Sequence, residues 1–219
     1  MREVVVLVHG IWMNGLEFWR LRRKLERAGY ECHVFKHHER RQSLAETATC
    51  LHEFVVTIDA PVVHFVGHSL GGLVLLHLFN QYPFTTKGRI VLLASPVNGS
   101  AVAKRLAHTR LTRWLLGQSM EQGLDGDAPP WKSWQDIGII SGTFPMGLGL
   151  LVGGPDLPHD GTVSVEETML RGATDALLLP VSHFGILLSS EVAEQVITFL
   201  CAGKFDEDTV MPLPDSSYV

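Results

Sequence analysis

A serine set among glycines, Gly67-His68-Ser69-Leu70-Gly71-Gly72, follows the apolar run 61–66 and precedes a second apolar run. A hydroxyl on such a sharp strand-to-helix bend sits in a strained backbone conformation, its oxygen lifted clear of the sheet. There it can attack an acyl carbonyl. The residues two positions before and after it must be small, because strand and helix pass within contact distance. Gly67 and Gly71 meet that need, and Gly72 widens the clearance. The following helix also points its positive dipole end at any oxyanion formed on the attacked carbonyl. Glycine-rich strand–helix turns are common on their own. What singles out Ser69 is that the pattern falls between the right elements.

Those elements form a regular alternation. Short Val/Leu/Ile-rich runs predict strands at 3–8, 31–35, 61–66, 89–94, 136–141 and 175–179, each buried on both faces as in a parallel sheet. Between them the pattern predicts a helix over 16–28 closed by Gly29. A second helix is capped by Ser43 with Glu46 completing a capping box, and turns Leu44, Leu51, Phe54 and Val55 inward. Further helices are expected at 73–81, at 101–116, after a Ser164/Glu167 box, and from Ser189 or Ser190 to about Gly203. The fold class is therefore α/β: a doubly wound, mostly parallel six-stranded sheet with helices on both faces. Its reactive site is expected beyond the carboxyl ends of the strands. Residues 1–204 read as one domain. The stretch 101–131 is either a small lid or an ordinary packing helix, and the acidic tail 205–219 is expected to fray.

Val8-His9-Gly10 and Gly67-His68-Ser69-Leu70-Gly71-Gly72 resemble the α/β-hydrolase superfamily, the second motif being typical of its lipases and esterases. The resemblance covers residues 4–203, without strands before Val4 and without a large cap domain. It implies the chain order serine, acid, histidine. Of 11 histidines, His183 stands where that fold delivers its base, after the last strand and before the last helix; His159 is the rival. His37, His38, His52 and His64 precede Ser69, and His77 and His108 fall inside helices. Asp160 opens D-G-T-V-S-V-E-E-T, which resembles the segment carrying the acid in bacterial lipases. Asp-Gly is also a common turn, and Asp156 is the nearest alternative, while Asp125 and Asp127 precede the fifth strand. The same resemblance makes the Leu70 and Ile11 amides the oxyanion donors, with Trp12 the fallback if the turn shifts. His9 reads as a brace for that turn.

Composition narrows the partners. The chain has 219 residues, 46% of them hydrophobic, and a net charge of -5, which speaks against nucleic acid. A mean hydropathy of +0.16 raises the question of a membrane span, but no apolar run approaches the roughly 20 residues required. Arg20, Arg22, Arg23, Lys24 and Arg27 recur at helical spacing and read as a solvated face. Three cysteines without metal spacing, and a start that runs straight into a strand, fit a reduced cytoplasmic setting. No cofactor or metal is expected. Trp12, Phe18, Phe144, Met146 and Phe184, apolar residues near the active end, are expected to line an acyl pocket. The function expected is hydrolysis of carboxylic esters with apolar acyl chains, the partner being a small ester or lipid. A thioesterase, an acyltransferase or a slow ligand-binding protein are the alternatives. Dehalogenase or epoxide hydrolase chemistry is excluded, because it needs an aspartate where Ser69 stands.

Overall fold

Val4, Val5, Val6, Leu7 and Val8 are all fully buried, and this two-faced burial places β1 (Glu3–Val8) inside the sheet. The computed structural model describes residues 2–37, 42–84, 87–107, 123–147, 149–150 and 153–206. The sheet has six strands in the order β2-β1-β3-β4-β5-β6. The other strands are β2 (Glu31–Phe35), β3 (Val62–His68), β4 (Ile90–Leu93), β5 (Ile137–Gly142) and β6 (Asp175–Leu179). Every pairing is parallel. The register aligns Val8 with Phe35 and Gly67, and His68 with Leu93, so the carboxyl ends of the strands share one rim.

Alternation along the strands feeds two cores. Val4, Val6, Val8, Val63 and Phe65 pack against α2 (Leu44–Val55) and α3 (Leu70–Gln81). Val5, Leu7, Val66, Leu177 and Leu179 pack on the opposite side, where α1 (Trp19–Arg27) meets the last helix, α6 (Ser190–Ala202). Two short helices, α4 (Ala101–Ala107) and α5 (Val165–Thr168), follow β4 and β5. Both predicted capping boxes form, at Ser43/Glu46 and Ser164/Glu167. Ser189 caps α6, and Gly203 ends it in the left-handed region at φ 78°.

Several predicted boundaries shift. The stretch 16–28 divides into a 3-10 turn, Leu16–Phe18, and the nine-residue α1, because Gly15 at φ 88° bends the chain into a tighter first turn. β3 runs two residues beyond the predicted 66, and α3 starts at Leu70 rather than 73. The connection between them is Ser69 alone. Phe205 and Asp206 depart from the expected loose tail. Phe205 is buried against Phe199, ring centroids 4.8 Å apart, and its N–H donates to Asp175 at 2.8 Å. The rest of the tail, and 108–122 of the expected helix and lid segment, lie outside the described residues. Among the described residues no helix is long and apolar enough to cross a membrane.

Candidate active site

The one-residue turn sets Ser69 at φ 53°, ψ -121°, a conformation that costs a non-glycine residue roughly 1–3 kcal/mol. Its surroundings hold it there. The Ser69 N–H donates to Leu93 at the end of β4, 2.9 Å away. A Cβ on Gly71 would stand 2.1 Å from the Val8 carbonyl oxygen, and one on Gly72 2.1 Å from Ser95 Oγ. Only glycines let α3 begin this close to the strand ends. Gly10 approaches from the other side, where an added Cβ would lie 3.1 Å from the Ser69 Cβ.

His183 arrives from the loop after β6. Its Nε2 lies 3.1 Å from Ser69 Oγ, and its Nδ1 2.7 Å from Asp160 Oδ2. The Asp160 side chain is 1% exposed, and a carboxylate that deep needs donors to offset lost hydration. It has them. Oδ1 accepts the Thr162 and Val163 amides at 2.8 Å each, and the His183 N–H donates to the Asp160 carbonyl at 3.0 Å. Serine, imidazole and carboxylate thus form one continuous hydrogen-bonded line. The neighbouring Glu167 ties this loop to α4, accepting the Ser164 N–H at 2.8 Å and the Ala101 N–H at 2.6 Å. Burial pushes its carboxyl above the usual range, the backbone donors opposing.

The other sequence candidates take distinct positions. Leu70 is the first residue of α3, where helical N–H groups have no carbonyl partner inside the helix. Ile11 opens the turn after Gly10, and Trp12 follows at φ 60°. His9 is buried. Its Nδ1–H donates to the Gly10 carbonyl at 2.9 Å, and its ring stacks on His37 at 4.1 Å. His159 is buried within the acid loop, accepting the Gly161 N–H at 2.9 Å. Asp156, Asp125 and Asp127 are exposed. Trp12, Phe144, Met146 and Phe184 are about half exposed on loops after β1, β5 and β6. Phe18 differs from the expectation. It is fully buried in the core with Leu21 and Leu25, because the 3-10 turn rotates it to the sheet side.

Two residues that sequence reasoning passed over belong to this constellation. Glu167 was visible as a cap, but its bond to Ala101 spans 66 residues. His68, the neighbour of Ser69, is fully buried, and its Nε2–H donates to the His183 carbonyl at 3.0 Å. Burial pushes its imidazole well below the usual histidine range, with the charges of His183 and His9 acting in the same direction. Position beside the serine was its only sequence signal. Among the described residues no three or more His, Cys, Asp and Glu side chains converge as a metal would require.

The model of the alpha/beta hydrolase family matches residues 5–211. The chain belongs to that family. Among solved structures, this hydrolase is similar to a lipase of Bacillus licheniformis in its mature form, at 19% identity and a TM-score of 0.72, covering 91% of each chain. A metagenomic carboxyl esterase matches at 20% identity and a TM-score of 0.61, over 82% of this chain and 64% of its own. A lipase-esterase related protein of Clostridium acetobutylicum matches at 14% identity and a TM-score of 0.60, over 90% and 94%. At such identities the likeness is one of fold. No curated protein matches the chain in sequence.

Proposed function

We propose that this hydrolase cleaves carboxylic esters through an acyl-enzyme on Ser69, with His183 as general base and acid and Asp160 as its orienting partner. The observation that carries the reading is the unbroken line from Ser69 Oγ to His183 Nε2, 3.1 Å, and from His183 Nδ1 to Asp160 Oδ2, 2.7 Å. These are the separations a nucleophile, its base and the group orienting that base require. His183 Nε2 takes the Ser69 proton as Oγ bonds to the ester carbon, and the carbonyl π pair moves onto oxygen. The Ile11 and Leu70 amides hold that oxyanion. The tetrahedral adduct then collapses, expelling the alcohol, which takes its proton from His183. Water repeats the sequence and frees the acid. Asp160 stays ionised and steadies the imidazolium.

The half-exposed Trp12, Phe144, Met146 and Phe184 favour apolar acyl groups, because a chain laid against them removes their apolar surface from water. The lipase and the esterase among the structural neighbours are consistent with this substrate class. A p-nitrophenyl ester series of increasing acyl length tests it. Turnover is expected to rise from acetate to medium chains and to vanish in Ser69→Ala. Undiminished hydrolysis by Ser69→Ala contradicts the nucleophile. Saturable ester binding by the wild type without product release contradicts the enzymatic reading.

A further inference from the structure

Ser69 and His183 reach the site on separate elements, and what holds those elements in register decides whether the proton can move. Among the described residues His183 makes four hydrogen bonds. Two go to Asp160, through its own N–H and Nδ1; one runs between its Nε2 and Ser69; and its carbonyl accepts from His68. The two Asp160 bonds make a rigid pair of base and acid, but they do not say where that pair sits relative to the nucleophile. The His68 bond does. His68 ends β3 immediately before Ser69, so the donor to the base loop and the nucleophile are consecutive residues of the chain.

The ring's protonation follows from its contacts. A carbonyl only accepts, so Nε2 carries the hydrogen of the 3.0 Å bond. Among the described residues Nδ1 has no hydrogen-bond partner, and a Cβ on Gly10 would lie 3.3 Å from it. A second proton there would put an unsatisfied charge in a fully buried site beside His183 and His9. The ring is therefore held as the neutral Nε2–H tautomer. Its centroid lies 4.9 Å from that of His183, the planes tilted by 46°, so the ring also packs against the base it holds.

We infer that His68 is a positioning residue for ester hydrolysis: its Nε2–H bond to the His183 carbonyl fixes the base–acid pair over Ser69 Oγ. The inference rests on the proposed roles of Ser69 and His183. Without the donor, the His183–Asp160 pair keeps its internal bonds but loses its tie to the nucleophile strand. A displacement of about 1 Å in such a pair is enough for a loss on the order of 100-fold in rate.

The test uses purified full-length protein and p-nitrophenyl butyrate. His68→Met fills the space without a donor, and its kcat is expected to fall about 10- to 100-fold with KM within about twofold. His68→Gln carries an amide donor at a similar reach and restores most of kcat. His68→Asn, whose donor falls short, does not. Should His68→Met not fold, the Gln and Asn variants decide the matter by themselves. Equal kcat in His68→Gln and His68→Asn, or a folded His68→Met at the wild-type kcat, overturns the assignment. A loss that follows melting temperature rather than the presence of a donor does the same. Ser69→Ala is assayed alongside: if it still hydrolyses the ester, the proposed nucleophile has failed, and if it is inactive while His68→Met keeps the wild-type kcat, only the role of His68 has failed.

Discussion

His64 and His68 sit four residues apart on β3, both buried, at opposite ends of the sheet. His64 has a partner on each nitrogen. It accepts the Arg89 N–H on Nδ1 at 3.0 Å, and Nε2–H donates to Glu3 at 3.3 Å. It opens on a cavity of about 370 Å³ also lined by Lys87, Arg89 and Asp136, where Arg89 and Asp136 pair at 3.1 Å. Among the described residues the His68 ring has one hydrogen-bond partner and one unmatched nitrogen, beside a serine at φ 53°. The cavity at the amino end is lined by groups that satisfy one another, whereas strain and an unmatched polar atom collect at the carboxyl end, where they persist only if the surrounding structure over-determines them.

The sharpest way to break the comparison is to remove the Asp160 carboxylate. Asp160→Asn is expected to lower kcat by about 10,000-fold, since it disturbs the imidazole tautomer, while His64→Gln leaves kcat within about twofold of wild type. Steady-state kinetics on one ester separates them; comparable losses would erase the distinction between the two ends. Next comes packing under Ser69. Gly71→Ala drives a methyl to 2.1 Å from the Val8 carbonyl oxygen and is expected to cost about 3 kcal/mol in urea unfolding. Gly29→Ala, at φ 99° but with nothing within 4 Å, costs about 1 kcal/mol.

Smaller effects concern the mouth and the amino end. Phe184→Ala is expected to raise KM about 3- to 10-fold for long-chain esters and little for acetate, read from the same ester series. Burial holds the His64 imidazole below its usual 6.5, with Glu3 opposing and Arg89 adding to the shift. A lowered histidine pKa means the unfolded chain binds the proton more readily. The contribution to stability is therefore complete above about pH 6.5 and shrinks as pH falls below it. Urea midpoints measured at pH 7.5 and 5.5 are expected to differ less in His64→Gln than in wild type.

Much of this was legible in the sequence, for reasons that differ by element. The central strands declared themselves because they bury both faces, as Val4 to Val8 do, while the edge strand β2 is only partly buried. The turn at Ser69 was legible in kind but not in length. Read locally, Gly67 to Gly72 break structure, whereas in three dimensions the missing side chains are what allow strand and helix to abut. Motif and order picked out Ser69, His183 and Asp160, which the structure brings within hydrogen-bond reach of one another. Phe18 misled because a 3-10 turn, not α1, sets its direction. His68 was invisible because its partner lies 115 residues away and nothing local marks a ring bonded to a distant carbonyl.

Covalent capture tests the central claim most directly. The protein is treated with a small alkyl fluorophosphonate, digested, and the modified peptide sequenced by mass spectrometry, for wild type and His183→Ala. The expected result is one adduct per chain, on Ser69, forming at least about 1,000-fold more slowly in the variant. An adduct on another residue, or labelling of Ser69 at an unchanged rate without the imidazole, would contradict the account.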